Sequence, residues 1–357
     1  MKKRCKSMYF DLHRFLLFQA ANHRLPTGGS CRRRRLREPE SNKTAHASIL
    51  ICPGPARFPA SYLSLINIPK GNNPMKTIDP TVLAGYNAGI ERDRLRTGMG
   101  LIEFERTKEL LVEHLPKPPA VIYDIGGGYG EYAWWLASLG YEVHLFDLSE
   151  TNIAMSGELA AEYPHTALAS ATVCDARDIP RESKTADAIL LMGPLYSITD
   201  YHERLSALGE SRRLLKDEGI LFSAAITPYG ALVARITAYR ASESKKSFEL
   251  DDPAVLAMMA KALSDGCYEN PNRSISSGLG SSHMHTAKAL REELTAGGFR
   301  TLSIHGVMGG AWLAPNLHAL MTTPDTKETL MKTVRMLDTH EEILGLSGHL
   351  LAISRKH

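Results

Sequence analysis

A chain of 357 residues is long enough for one large domain or two ordinary ones, and a hydrophobic fraction of 43% suits a substantial core. No apolar run approaches the roughly eighteen residues that a membrane-spanning helix needs. The net charge of +3 is unevenly spread: residues 1–74 carry 14 Lys and Arg against 3 Asp and Glu, leaving 28 against 36 for residues 75–357. That acidic remainder, with no basic stripe, argues against a nucleic-acid partner.

Taken from the amino terminus, residues 1–74 read as a basic, disordered extension. The segment holds the run Arg32–Arg35, scattered Pro and Gly, and no sustained period. Its apolar stretch "MYFDLHRFLLFQAA" is interrupted by Asp11, His13 and Arg14, unlike a secretory signal. Met75 opens a coherent sequence, so a misassigned start is expected. The five cysteines have no C-x-x-C spacing. They support neither a disulfide framework nor a zinc site, and the default compartment is the reducing cytoplasm.

Residues 75–117 read as an amino-terminal helical region. From 118 to 227 strand and helix patterns alternate. "AVIYDI" (120–125) is a β-branched apolar run, and "GEYAWWLASLG" (130–140) has helical spacing and a glycine stop. "YEVHLFD" (141–147) alternates, and Ser149 caps the helix-forming "SETNIAMSGELAAEY" (149–163). "LASATVC" (168–174), "ADAILLM" (186–192) and "GILFSAAI" (219–226) complete five strands, with "HERLSALGESRRLL" (202–215) as a helix before the fifth. Strands separated by single helices imply right-handed crossovers and an α/β, doubly wound parallel sheet. Residues 228–284 contain two further helical patterns and the Gly/Ser-rich "SISSGLGSSHMH", and read as a helical cover over the substrate. The carboxy-terminal part, 285–357, carries the helix "HTAKALREELTAGGF", a second helical insertion at 325–344 with Leu330, Val334, Leu337 and Leu344 on one face, and a terminal strand.

In such a sheet a ligand sits beyond the carboxyl ends of the strands. The loops there bring together Gly126–Gly130, Asp147, Asp175 and Met192–Tyr196. The dinucleotide fingerprint G-x-G-x-x-G fails because Glu131 stands at its third glycine; the spacing is Gly126-x-Gly128-x-Gly130. No Gly-Lys-Ser/Thr follows, which excludes a Walker loop. Asp124 beside the turn repels a pyrophosphate and attracts an ammonium, while the helix start behind it accepts a carboxylate. An amino-acid moiety carries both groups.

"VIYDIGGGYG" followed by Asp147 resembles the class I S-adenosylmethionine-dependent methyltransferases, with a Rossmann-like sheet that is mostly parallel and has an antiparallel last strand. The resemblance assigns Asp124 to the cofactor's amino group. It gives Gly126, Gly128 and Gly130 to close backbone approach and Asp147 to the ribose hydroxyls. Asp175 falls to the adenine amino group, with the Ala176 backbone beside it, and Met192 lines the crevice. "LMGPLYSITD" (191–200) is similar to the strand-four loop of a bacterial small-molecule subgroup, which often reads G-P-L-Y-H-L; Ser197 replaces that His here. The implied activity is methyl transfer to a small molecule, through O or N rather than C. No metal is expected.

Methyl transfer rests on alignment and exclusion of water, with a base needed for an oxygen acceptor. His283 and His285, bordering the cover, are the candidates for that base, and Tyr196 for orienting the acceptor. His349, which opens the terminal strand, reads as buried and structural. The alternatives are a nicotinamide-dependent oxidoreductase, which Asp124 and Glu131 disfavour, and a non-catalytic cofactor-binding protein on the same fold.

Overall fold

The computed structural model describes residues 66–67, 80–89, 92–238, 250–271 and 280–356. The basic extension through residue 65 and the Gly/Ser-rich loop at 272–279 lie outside the described residues. Ten strands follow in chain order: β1 (Ile66–Asn67), β2 (Val121–Ile125), β3 (Glu142–Asp147), β4 (Ser170–Val173), β5 (Ala186–Leu191), β6 (Leu215–Ile226), β7 (Cys267–Glu269), β8 (Ser281–His283), β9 (Phe299–Gly306) and β10 (His349–Lys356). Eight of them form one sheet in the order β1-β4-β3-β2-β5-β6-β10-β9. All run parallel except β10, which is antiparallel to both β6 and β9. Strand order reverses between β2 and β5, and the crevice opens there.

The helices are α1 (Pro80–Asn87), α2 (Gly100–His114), α3 (Glu131–Ser138), α4 (Glu150–Leu159), α5 (Pro194–Ser197), α6 (Tyr201–Leu214), α7 (Pro228–Ala238), α8 (Pro253–Asp265), α9 (Ala287–Ala296), α10 (Leu317–Thr322) and α11 (Pro324–Leu337). Because successive strand residues face opposite ways, β5 divides between two cores. Leu190 packs with Ile122, Leu110, Leu111 and Trp134 under α2 and α3. Ile189 and Leu191 pack with Tyr123, Leu208, Leu290 and Leu294 under α6 and α9. Both faces are covered, which explains why these strands read as continuous apolar runs. Ser149 caps α4 as expected, its hydroxyl accepting from the Asn152 amide at 3.1 Å.

Residues of the cover form a third cluster. Val255, Met258, Met259 and Ala262 of α8 pack with Tyr268, Met284 and Tyr196, so α8 and the β7–β8 ribbon rest against the strand-four loop. The helix between β9 and β10 forms, but it buries Met331 and Val334, while Leu337 faces solvent. Leu330, Val334 and Leu344 pack inward as expected, so only Leu337 leaves the expected face. The terminal strand begins at His349, after a 3-10 turn at Leu344–Leu346, rather than at residue 344.

Candidate active site

The crevice is built first from the turn after β2. Gly126, Gly128 and Gly130 all have left-handed backbones, with φ of 69°, 58° and 90°. A Cβ at Gly126 would stand 2.6 Å from Pro194 of the strand-four loop. At Gly127 it would stand 2.5 Å from the Asp124 carboxylate, so this glycine is as constrained as its neighbours. The turn hangs on β3: the Gly126 amide donates to the Phe146 carbonyl at 2.8 Å, and the Gly128 amide to Asp147 Oδ2 at 2.8 Å.

Asp124 is wholly buried, lines the crevice, and makes no well-formed hydrogen bond through either carboxylate oxygen. Burial, and then the nearby Asp147 charge, push its pKa up to about 7, opposed only in part by the Ala133 backbone. Asp147 is held in the opposite manner. Its Oδ1 accepts from the Ser149 amide (2.9 Å) and the Asn152 side chain (3.1 Å), so the turn and α4 fix its orientation.

Asp175, Ala176 and Met192 also line the crevice. Asp175 is not a free carboxylate: Arg177 donates to both of its oxygens, and a further Arg177 nitrogen reaches Glu203 at 2.9 Å. The neighbouring Cys174 thiol is pushed up by burial and by Asp175 and Asp147, so it offers no thiolate.

Tyr196 lies on the crevice wall with its hydroxyl donating to the Met192 carbonyl at 2.7 Å. Its ring meets the His349 ring edge-on, the centroids 6.1 Å apart. His349 lines the crevice because β10 runs antiparallel, which brings its first residue to the carboxyl ends of the other strands. His349 Nδ1 lies 3.7 Å from Glu103 Oε1 of α2, and Arg94 grips the same carboxylate at 2.8 and 3.1 Å. Burial works to raise the Glu103 pKa, yet Arg94 and His349 together hold it below the ordinary value.

His283 and His285 are not on this wall. His285 is buried 3.3 Å from Glu293, and His283 has its pKa pushed down to about 3 by burial, His285 and Arg204. So weak a base, outside the crevice, is badly placed to accept a proton there. The histidine that lines the crevice is His349, alongside the paired arginines Arg94 and Arg177. Leu83 and Tyr86 of α1 close the opposite side. The Tyr86 hydroxyl pairs with Ser197 at 2.8 Å, and Ser149 donates to Asn87 at 2.6 Å. Among the described residues, no helix is long and apolar enough to cross a membrane.

Residues 123–223, spanning the turn, Asp147, Asp175 and the strand-four loop, match the family described as Methyltransferase domain. A putative S-adenosylmethionine-dependent methyltransferase from Listeria monocytogenes is similar in structure, with a TM-score of 0.46 at 16% identity, covering 71% of this chain and 97% of that one. A second, from Methanosarcina mazei, gives 0.45 at 19% identity over 69% and 96%. The [4+2]-cyclase SpnF gives 0.42 at 18% identity over 71% and 80%. No curated protein matches the chain by sequence. The glycine turn, the acidic strand ends and this strand order thus meet in one crevice, built largely from the segment, residues 123–223, that carries the methyltransferase domain.

Proposed function

We propose that the protein methylates a small molecule at oxygen or nitrogen and releases S-adenosylhomocysteine. The observation that carries this reading is Asp124, a buried carboxylate without a well-formed partner, facing a turn of three left-handed glycines. An ammonium group satisfies that carboxylate, and the left-handed glycine backbone wraps the turn closely around it, so the residues fit the methionine end of the cofactor. Asp124 holds its amino group and the glycine turn its backbone. Asp147 holds the ribose, and Asp175, Ala176 and Met192 border the adenine. When bound, S-adenosylmethionine supplies an electrophilic methyl group on a sulfonium.

The chain's own residues do the rest. Tyr196, fixed by its bond to Met192, and the apolar Val307, Leu350 and Leu351 shape the wall and exclude water. His349 accepts the acceptor's proton, with its ring steadied by Tyr196 and its developing charge balanced by Glu103. The acidic balance of residues 75–357 favours a small acceptor over a polyanion. A nicotinamide dinucleotide would set its pyrophosphate against Asp124. Calorimetric titration of the full chain with S-adenosylhomocysteine and with NADH tests the reading: binding of the first alone is expected, and binding of NADH alone overturns it. Turnover on a metabolite panel then separates an enzyme from a cofactor-binding protein.

A further inference from the structure

We propose that His283, His285 and Glu293 form a zinc site that bolts the cover to the core. The sequence His283-Met284-His285 at the end of β8 places two imidazoles two residues apart, with ring centroids 4.5 Å from each other. Glu293 comes from α9, whose cap Thr286 directly follows His285, so the second turn of that helix returns a carboxylate over the pair. One donor atom from each of the three lies within 4.8 Å of the others. His285 Nε2 and Glu293 Oε1 are 3.3 Å apart. Zinc bonds of about 2.0–2.1 Å in a tetrahedron give ligand–ligand edges of roughly 3.3–3.4 Å.

A second observation points to a ligand. His285 is completely buried, and neither of its ring nitrogens makes a well-formed hydrogen bond, the 3.3 Å approach to Glu293 included. A buried imidazole left in that state has given up its water without gaining a partner in return. A metal ion on one nitrogen uses the lone pair and fixes the tautomer.

Glu293 is prepared as a ligand by Arg204, which donates to both carboxylate oxygens at 2.8 and 2.9 Å. Each oxygen keeps a second lone pair, and such outer contacts orient ligating carboxylates in metal sites. The guanidinium charge opposes any dication held by charge alone. The set therefore selects a metal that bonds to imidazole, as zinc does, over magnesium or calcium. His283 is the partly exposed member, and water completes the coordination there.

The consequence is mechanical. His283 belongs to the β7–β8 ribbon of the cover, Glu293 to α9 against the main sheet, and Arg204 to α6. Arg204 also donates to the carbonyls of Ile198 and Thr199 at 3.2 and 2.8 Å, and Ile198 lines the cofactor crevice. An ion at this point fixes the cover relative to the strand-four loop without touching the acceptor.

The test uses the full chain, stripped with EDTA and desalted, then titrated with zinc chloride and, separately, magnesium chloride. One zinc per chain with a raised Tm, and no magnesium uptake, is expected. His283→Gln, at the partly exposed position, and Glu293→Gln each lower zinc affinity by at least about tenfold, while Cys267→Ser leaves it unchanged. Absence of stoichiometric uptake by the wild-type chain overturns the site, as does uptake that survives His283→Gln. S-adenosylhomocysteine titrated into the same samples reports the fold and the cofactor reading separately: binding of the nucleoside without zinc removes only the metal site, and zinc without the nucleoside removes only the cofactor assignment.

Discussion

Two buried carboxylates face the crevice from different walls, and they are maintained in opposite electrostatic states. Asp124, behind the glycine turn, has no cation beside it and a pKa raised to about 7. Glu103, on α2, is buried to a similar degree yet is gripped by Arg94, stands near His349, and has its pKa lowered. Burial alone raises both; the arginine decides the difference. A carboxylate already neutralised by the protein serves to orient its neighbours, whereas one left without a counter-ion is completed by a cation that the ligand brings. Under the proposed function, the Glu103 wall serves chemistry and the Asp124 wall recognition.

The largest effect is expected on the Glu103 side. Replacing His349 by Gln keeps a polar side chain of similar reach but removes the base, which should lower turnover by about 10²- to 10⁴-fold. Affinity for S-adenosylhomocysteine should hardly change, because Asp124 and the turn are untouched. Glu103→Gln should cost less and should shift the acidic limb of the pH–rate profile to lower pH, since the carboxylate no longer favours the imidazolium. Steady-state rates on the acceptor, beside calorimetry on the same variants, measure the split. Equal loss of turnover and cofactor affinity in His349→Gln would show that the two walls do not divide the work.

Asp124→Asn should act in the reverse sense. Loss of a charge-assisted contact is worth about 1.5–3 kcal/mol, or roughly 10- to 100-fold in affinity for S-adenosylhomocysteine. The ligand-free protein should at the same time gain thermal stability, because an unpaired buried carboxylate is gone. Opposite signs from one substitution are the signature; a variant that loses both is simply damaged.

The pH dependence follows from the same group. Asp124 is raised in the folded state from an ordinary 3.8 to about 7. Its contribution to folding is therefore fully present below about 4 and is lost as pH rises through about 7. Ligand binding has the other sign, since the ammonium needs the ionised form. Affinity should climb nearly tenfold per pH unit below about 7 and level off above it. Calorimetry from pH 5.5 to 8 checks this, and Asp124→Asn should flatten the curve.

The same division decides what could be read from the residues in order. Asp124, the glycines and Asp147 sit within one strand–turn–helix–strand unit, so this part of the candidate site could be named from a local motif and the family it resembles. Gly127 escaped notice because its constraint is the Asp124 side chain folded behind it, which is a tertiary fact. Asp175 was placed on the crevice wall, but its clamp by Arg177 was not foreseen. The wall around His349 draws on α2, the strand-four loop and β10, and no local period links them. His349 did leave a signal: an antiparallel last strand must begin where parallel strands end, so its first residue faces the ligand. His283 and His285 were drawn toward catalysis because they border the cover in sequence. In space they turn inward to Glu293 instead of toward the crevice.

The smallest predicted effect concerns the join between the walls. The Tyr86 hydroxyl of α1 meets Ser197 of the strand-four loop at 2.8 Å, and both residues line the crevice. Tyr86→Phe keeps the ring and removes one partly buried hydrogen bond, worth about 0.5–1.5 kcal/mol, or roughly two- to tenfold. If α1 closes over bound cofactor, that loss should appear as faster dissociation of S-adenosylhomocysteine, with little change in its association rate. Ser197→Ala should give the same shift, and the double variant no more than either alone, because one bond is removed in all three. Stopped-flow displacement measures this. Additive losses would mean that the two hydroxyls act on separate partners and that α1 does not couple the recognition wall to the chemical one.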